Sequence, residues 1–170
     1  MQKNVRHSGG FSLIEILITV FVLALGLLGF AALQTEGVKQ NRTADLRTRA
    51  MQSAYNIADR MRANVGGAVN GAYEATAAPA VSYDCESNFS GTTVVNKCSS
   101  TEMANADLDV WFGLMSQELP SGAGTISCTD SDGTDGDPCT RGSIYNIQVQ
   151  WQEYEGTGFS TKTFAMDIQP

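Results

Sequence analysis

The residue in this sequence most constrained by its surroundings is Glu15. Residues 10–33 read GFSLIEILITVFVLALGLLGFAAL, and Glu15 is their one charge. A carboxylate at a bilayer centre costs roughly 2.5 kcal/mol or more. A helix that only anchors has no reason to keep it, whereas a helix that leaves the bilayer to join a polymer does. Ser12-x-x-Glu15 also fits a capping box, in which the serine accepts from the first turn and the glutamate folds back to the cap. The other reactive groups lie far downstream. Four cysteines, Cys85, Cys98, Cys128 and Cys139, all fall beyond residue 65. Asp130, Asp132, Asp135 and Asp137 crowd the segment between the last two. The single histidine is His7.

The element that must position Glu15 is membrane-sized. Ile16 to Leu33 is an apolar stretch of 18 residues, or about 27 Å of helix, close to the hydrocarbon thickness of a bilayer. Before it stands MQKNVRHSGG, with Lys3 and Arg6 and no acid. The positive-inside rule keeps these residues cytoplasmic and sends the remainder out. A secretory signal peptide has a shorter apolar core followed by small residues at its cleavage site. Here the small pair Gly9-Gly10 precedes the apolar run, so a cut there leaves the hydrophobic helix on the mature protein.

Gly10-Phe11-Ser12-Leu13-Ile14-Glu15, followed by that run, resembles the class III leader of type IV pilins and type II secretion pseudopilins. The resemblance implies several things. A prepilin peptidase cuts between Gly10 and Phe11, and Phe11 becomes the N-methylated first residue. The Glu15 carboxylate neutralises the Phe11 ammonium of a neighbouring subunit, a pair strongly favoured in hydrocarbon over two isolated ions. The fold is the α+β "lollipop" of the family: a long N-terminal helix, half membrane-embedded and half amphipathic, packed on an antiparallel sheet head with one extra helix. The implied divisions are a leader at 1–10, a transmembrane and polymerisation half at 11–34, an amphipathic half at 35–64 and a disulfide-containing head at 65–170. His7 leaves with the leader, which removes any Ser-His-Asp or Cys-His arrangement from the mature protein. No P-loop or dinucleotide fingerprint occurs either, so the expectation is a non-enzyme that needs no cofactor.

Beyond the apolar run, Val38, Leu46, Ala50, Ala54, Ile57, Ala58 and Met61 form one helical stripe. With Gly66-Gly67 as the stop signal, this predicts one helix from about Ser12 to about Asn64. Gly26 and Gly29 would loosen its apolar half, and Ala32 stands where major pilins usually carry a proline. Charge is lopsided. Six basic residues lie between Lys39 and Arg62, whereas beyond residue 70 there are 14 acids against Lys97, Arg141 and Lys162. A basic helix beneath an acidic head favours staggered contact between subunits; local pairs such as Asp45–Arg49 on a solvated face are the alternative. Without interleaved aromatics the helix is not read as nucleic-acid binding.

In the head, residues 65–100 read as a loop with short strands near Val81–Tyr83 and Thr92–Val95. Ser99-x-x-Glu102 opens an amphipathic helix running to about Leu119, with Leu108, Phe112, Met115 and Leu119 on one face and Trp111 in the core. The segment from Ile144 to Trp151 alternates cleanly, Phe159–Ile168 more loosely, and Glu155-Gly156-Thr157-Gly158 marks the hairpin turn between them. An even cysteine count in an exported domain argues for disulfides. Three pairings are open, and the local one, Cys85–Cys98 with Cys128–Cys139, is chosen. No CxxC spacing supports zinc. The Asp130–Asp137 cluster departs from the EF-hand, with Thr134 at position five and no glutamate at twelve, so it reads as a solvated acidic turn before it reads as a calcium site.

Trp111 ahead of Leu119-Pro120-Ser121-Gly122, the helix end Asp59–Asn64 and the Tyr145–Trp151 strand resemble the PilV family of minor pilins, also called type IV pilus modification proteins. That implies a single-pass inner-membrane protein with a periplasmic head, which later enters the pilus fibre at its tip. Its partners would be the prepilin peptidase, other minor pilins, the major pilin and the inner-membrane assembly platform. Its role would be to prime pilus assembly, in support of twitching motility and adhesion. Minor pseudopilins of the I class share the leader and the long helix. A tip adhesin using the 65–100 loop or the acidic loop is the reading from another functional class.

Overall fold

Leucine, alanine, glutamine, arginine and methionine, all good helix formers, fill the sequence after Ser12, and α1 runs unbroken over Leu13–Ala63, 51 residues. It continues through Gly26, Gly29 and Ala32 with no interruption. The computed structural model describes Gly10 and residues 12–85, 89–90, 93–94, 98–131 and 139–170. The chain is α+β and divides into two units, Met1–Arg42 and Thr43–Pro170. In the first, every described residue is exposed, including all the apolar side chains from Leu13 to Val38.

In the second unit, α1 contributes Leu46, Ala50, Ala54, Ile57, Ala58 and Met61 to the core. Val38, at 68% exposure, does not join that stripe. The helix ends earlier than the glycine pair. Asn64 breaks it and caps a second short helix, α2 (Val65–Val69), which contains Gly66-Gly67; the Asn64 side chain accepts from Gly67 N. A polar side chain able to satisfy free amides is thus the punctuation, and the glycines supply close approach. A Cβ on Gly67 would lie 2.8 Å from the Ser100 carbonyl.

Val81–Tyr83 forms no strand. Two short strands, β1 (Phe89–Ser90) and β2 (Thr93–Val94), pair antiparallel, and β2 falls within the strand expected near Thr92–Val95. Helix α3 spans Ser100–Glu118 and buries Ala104, Asp107, Leu108, Trp111 and Met115; Phe112 is only half-buried against Trp111. The remaining strands are β3 (Ala123–Thr129), β4 (Ile144–Tyr154) and β5 (Phe159–Ile168), an antiparallel sheet in the order β3-β4-β5. The β4–β5 hairpin closes through Glu155 N to Gly158 O at 2.9 Å, with Gly156 at φ 80°. Strand β3 had no strong sequence signal, because Gly, Thr, Ser and Cys dominate it. Its Gly124 is required by packing: a Cβ there would overlap the Trp111 indole and the Met115 methyl.

The core lies between the inner sheet face (Tyr145, Ile147, Val149, Trp151) and the two helices. A polar staple runs through it. Arg60 Nη1 donates to Asp107 Oδ1 at 2.8 Å, Tyr73 Oη donates to Asp107 Oδ2 at 2.6 Å, and Asn64 Nδ2 donates to Tyr73 Oη at 3.2 Å. Trp111 Nε1 donates to the Ser53 carbonyl at 3.0 Å. Burial, followed by the Asp107 hydrogen bond, pushes the Tyr73 phenol well up; burial carries Tyr145, which donates to Ala68 O, to about 12. Both phenols therefore stay protonated donors at any physiological pH.

Candidate functional site: the N-terminal segment

The first turn of α1 is secured by backbone alone. Glu15 N and Ile16 N both donate to the Ser12 carbonyl, at 3.0 and 3.3 Å. Among the described residues no capping box forms there. The Glu15 carboxylate is exposed and has neither a hydrogen bond nor an ion pair among the described residues. From Leu13 to Leu33 the large apolar side chains around it are 54–78% exposed. This is the one helix long and apolar enough to cross a membrane among the described residues, with mean hydropathy 2.8 and none of its apolar window buried. Such a surface is unstable in water and demands lipid or other apolar helices around it. Gly10, the residue before the expected cleavage point, is exposed; Phe11 lies outside the described residues.

Farther along α1, three cations are paired locally. Lys39 lies 4.0 Å from Glu36, Arg49 2.9 Å from Asp45, and Arg62 2.9 Å from Asp59. Exposed pairs of this kind contribute little. Arg42 and Arg47 are exposed without an ion pair among the described residues. Arg60 is drawn inward to Asp107, a role the sequence did not signal because the partner lies 47 positions away.

Cys85 and Cys98 form a disulfide with Cα atoms 5.7 Å apart, and Cys128 and Cys139 form another at 6.2 Å. In the acidic loop, Asp130 Oδ1 accepts from Thr140 Oγ1 at 2.7 Å and from Ser143 Oγ at 3.0 Å. Asp132, Asp135 and Asp137 lie outside the described residues. Among the described residues no group of three or more His, Cys, Asp or Glu could hold a metal. Trp111, expected in the core, is buried, and so is Trp151.

Residues 5–31 match the family described as the prokaryotic N-terminal methylation motif. No curated protein matches the chain. No solved structure does. The motif and the apolar helix together support a membrane-anchored protein of type IV pilin or pseudopilin type, processed by a prepilin peptidase and destined for assembly. The same motif favours a structural role over a catalytic one.

Proposed function

We propose that this chain is a minor pilin of the PilV kind, which helps initiate type IV pilus assembly within a priming complex that becomes the fibre tip. The observation that carries the reading is Glu15: a carboxylate with no partner among the described residues, inside the matched methylation motif, on the exposed apolar half of α1. Cleavage between Gly10 and Phe11 creates a new ammonium, methylated on Phe11. The Glu15 carboxylate of one subunit then meets the Phe11 ammonium of the next as the helices gather. Low dielectric strengthens that pair and penalises any register that leaves either ion alone. An assembly ATPase supplies the work through the inner-membrane platform. Cys85–Cys98 and Cys128–Cys139 stabilise the periplasmic head.

A deletion strain tests the proposal, together with mass analysis of the purified protein's N-terminus. The expected results are a mature chain starting at methylated Phe11 and a strain with few or no surface fibres, restored by the wild-type gene. Normal fibre numbers with poor surface attachment would shift the role to adhesion. Periplasmic retention of secreted enzymes would make the chain a secretion pseudopilin. A functional protein still starting at Met1 would overturn the processing scheme itself.

A further inference from the structure

The outer face of the sheet is unlike the rest of this molecule. Alternation puts Gln148, Gln150 and Gln152 of β4 outward, with Thr163 directly opposite Gln150 and Thr161 directly opposite Gln152. Among the described residues no element of the Thr43–Pro170 unit packs over them, and α3 contacts the sheet from the core side. The chain carries a net charge of −7, yet among the described residues the single charge on this face is Asp167, to which Asn146 Nδ2 donates at 2.7 Å. Gln148 Nε2 donates in turn to Asn146 Oδ1 at 2.8 Å, fixing the amides in a row. Gln150, Thr161 and Thr163 have no side-chain hydrogen bond among the described residues. At the turn end of the same face, Tyr154 and Phe159 pack edge to face with centroids 5.4 Å apart, 65% and 72% exposed. Tyr154 Oη is held by Gly156 O at 2.9 Å.

We infer that this face binds a neutral polysaccharide strand, laid along the β4–β5 hairpin with a sugar ring against the Tyr154–Phe159 pair. The charge pattern selects the occupant. Among the described residues no cation on the face meets an anionic polymer, and Asp167, at the end of the face away from the aromatic pair, is a single charge for a cationic one. Apolar area is confined to the aromatic pair at the turn and Ile144 at the far end of β4, too little for a protein or lipid docking face. What is left is a flat lane of groups that each both donate and accept, which suits vicinal hydroxyls. It ends in exposed rings that suit the C–H face of a pyranose. Successive outward residues of β4 recur every ~6.8 Å, so several sugars in one extended chain are engaged at once. The inference does not rest on the assembly role, and its failure would leave that role untouched.

The test is native affinity electrophoresis of the full chain in a zwitterionic detergent that carries no sugar headgroup. Gels contain hydroxyethyl cellulose, galactomannan or dextran, with alginate as the anionic comparison. Retardation by at least one neutral polymer and none by alginate is expected. Tyr154→Ala should weaken binding about threefold to tenfold and Gln150→Ala about threefold, with near-UV circular dichroism unchanged in both. No retardation by any neutral polymer overturns the inference. So does equal retardation of the two folded variants, or retardation by alginate alone. Altered mobility of the variants in blank gels, without any polysaccharide effect, would assign the face to protein contact and overturn it as well.

Discussion

The chain writes the same four-residue pattern at the start of two helices and uses it in two ways. At α3, Ser99-x-x-Glu102 closes both arms of a capping box. Ser99 N donates to Glu102 Oε2 at 2.8 Å, and Glu102 N donates to Ser99 Oγ at 3.3 Å. At α1, Ser12-x-x-Glu15 closes neither arm among the described residues, and the carboxylate stays unpartnered. Local sequence is therefore silent about which glutamate is structural. The neighbours decide. Glu102 sits on a helix with a core face that must start at a fixed place against the sheet. Glu15 sits in the first part of α1, where every described residue up to Arg42 is exposed, so no contact among the described residues competes for it.

The strongest way to break this comparison is Glu15→Ala. If Glu15 serves an intermolecular pair, the variant should insert and be cleaved normally yet fall in sheared fibres or in the priming complex by tenfold or more. Removing one partner of a buried pair costs about 3–5 kcal/mol. Immunoblots of sheared fibres against whole cells read this directly. Wild-type incorporation would make Glu15 another local helix signal and dissolve the contrast.

A second variant sharpens the other side, where polar groups are satisfied within one chain. Asp107→Ala removes the acceptor shared by Arg60 and Tyr73. The Arg60 side chain is 35% exposed and can rehydrate, so the expected loss is about 2–3 kcal/mol, at the upper end of what hydrogen bonds to a charged group contribute. Urea unfolding of the full chain in detergent, followed by tryptophan fluorescence, checks it, because Trp111 and Trp151 are both in this core. Membrane insertion and leader cleavage should be unaffected.

The sequence made the periodic and strongly patterned parts legible. The long helix, α3 with its cap, and the β4–β5 hairpin all follow from spacings of 3.6 or 2 and from turn residues. Strand β3 was not legible, because AGTISCT has no alternation of type; its burial alternates only because Gly124 admits Trp111. Helix α2 was hidden for a related reason. A Gly-Gly pair reads as a stop, but Asn64 caps the turn, Gly67 allows the Ser100 carbonyl to approach and Gly66 admits the Ser100 side chain. The Arg60–Asp107–Tyr73 staple was beyond reach, since it joins residues far apart in the chain, each unremarkable alone. At the candidate site the residue types and their spacing were plain, whereas the absence of a partner for Glu15 among the described residues needed the structure.

The smallest effect is also the most direct comparison. Ser99→Ala removes the hydroxyl arm of the α3 box and should lower stability by about 1 kcal/mol; Ser12→Ala should leave the unfolding midpoint unchanged. Acid titration separates the two further. Glu102 is held below the usual carboxylate range, first by the Ser99 backbone N–H and then by its hydroxyl. A carboxylate whose folded pKa is depressed contributes stability above its unfolded pKa, about 4.3 for glutamate, and loses it as pH falls through the lower folded value. The wild-type and Ser99→Ala curves should therefore lie apart at neutral pH and converge below that window. Ser12→Ala should track wild type throughout. The convergence should be partial, because the backbone arm survives in the variant and Glu102 keeps the larger share of its depression. Parallel wild-type and Ser99→Ala curves down to the most acid pH would show that the serine hydroxyl caps the helix without help from the Glu102 charge.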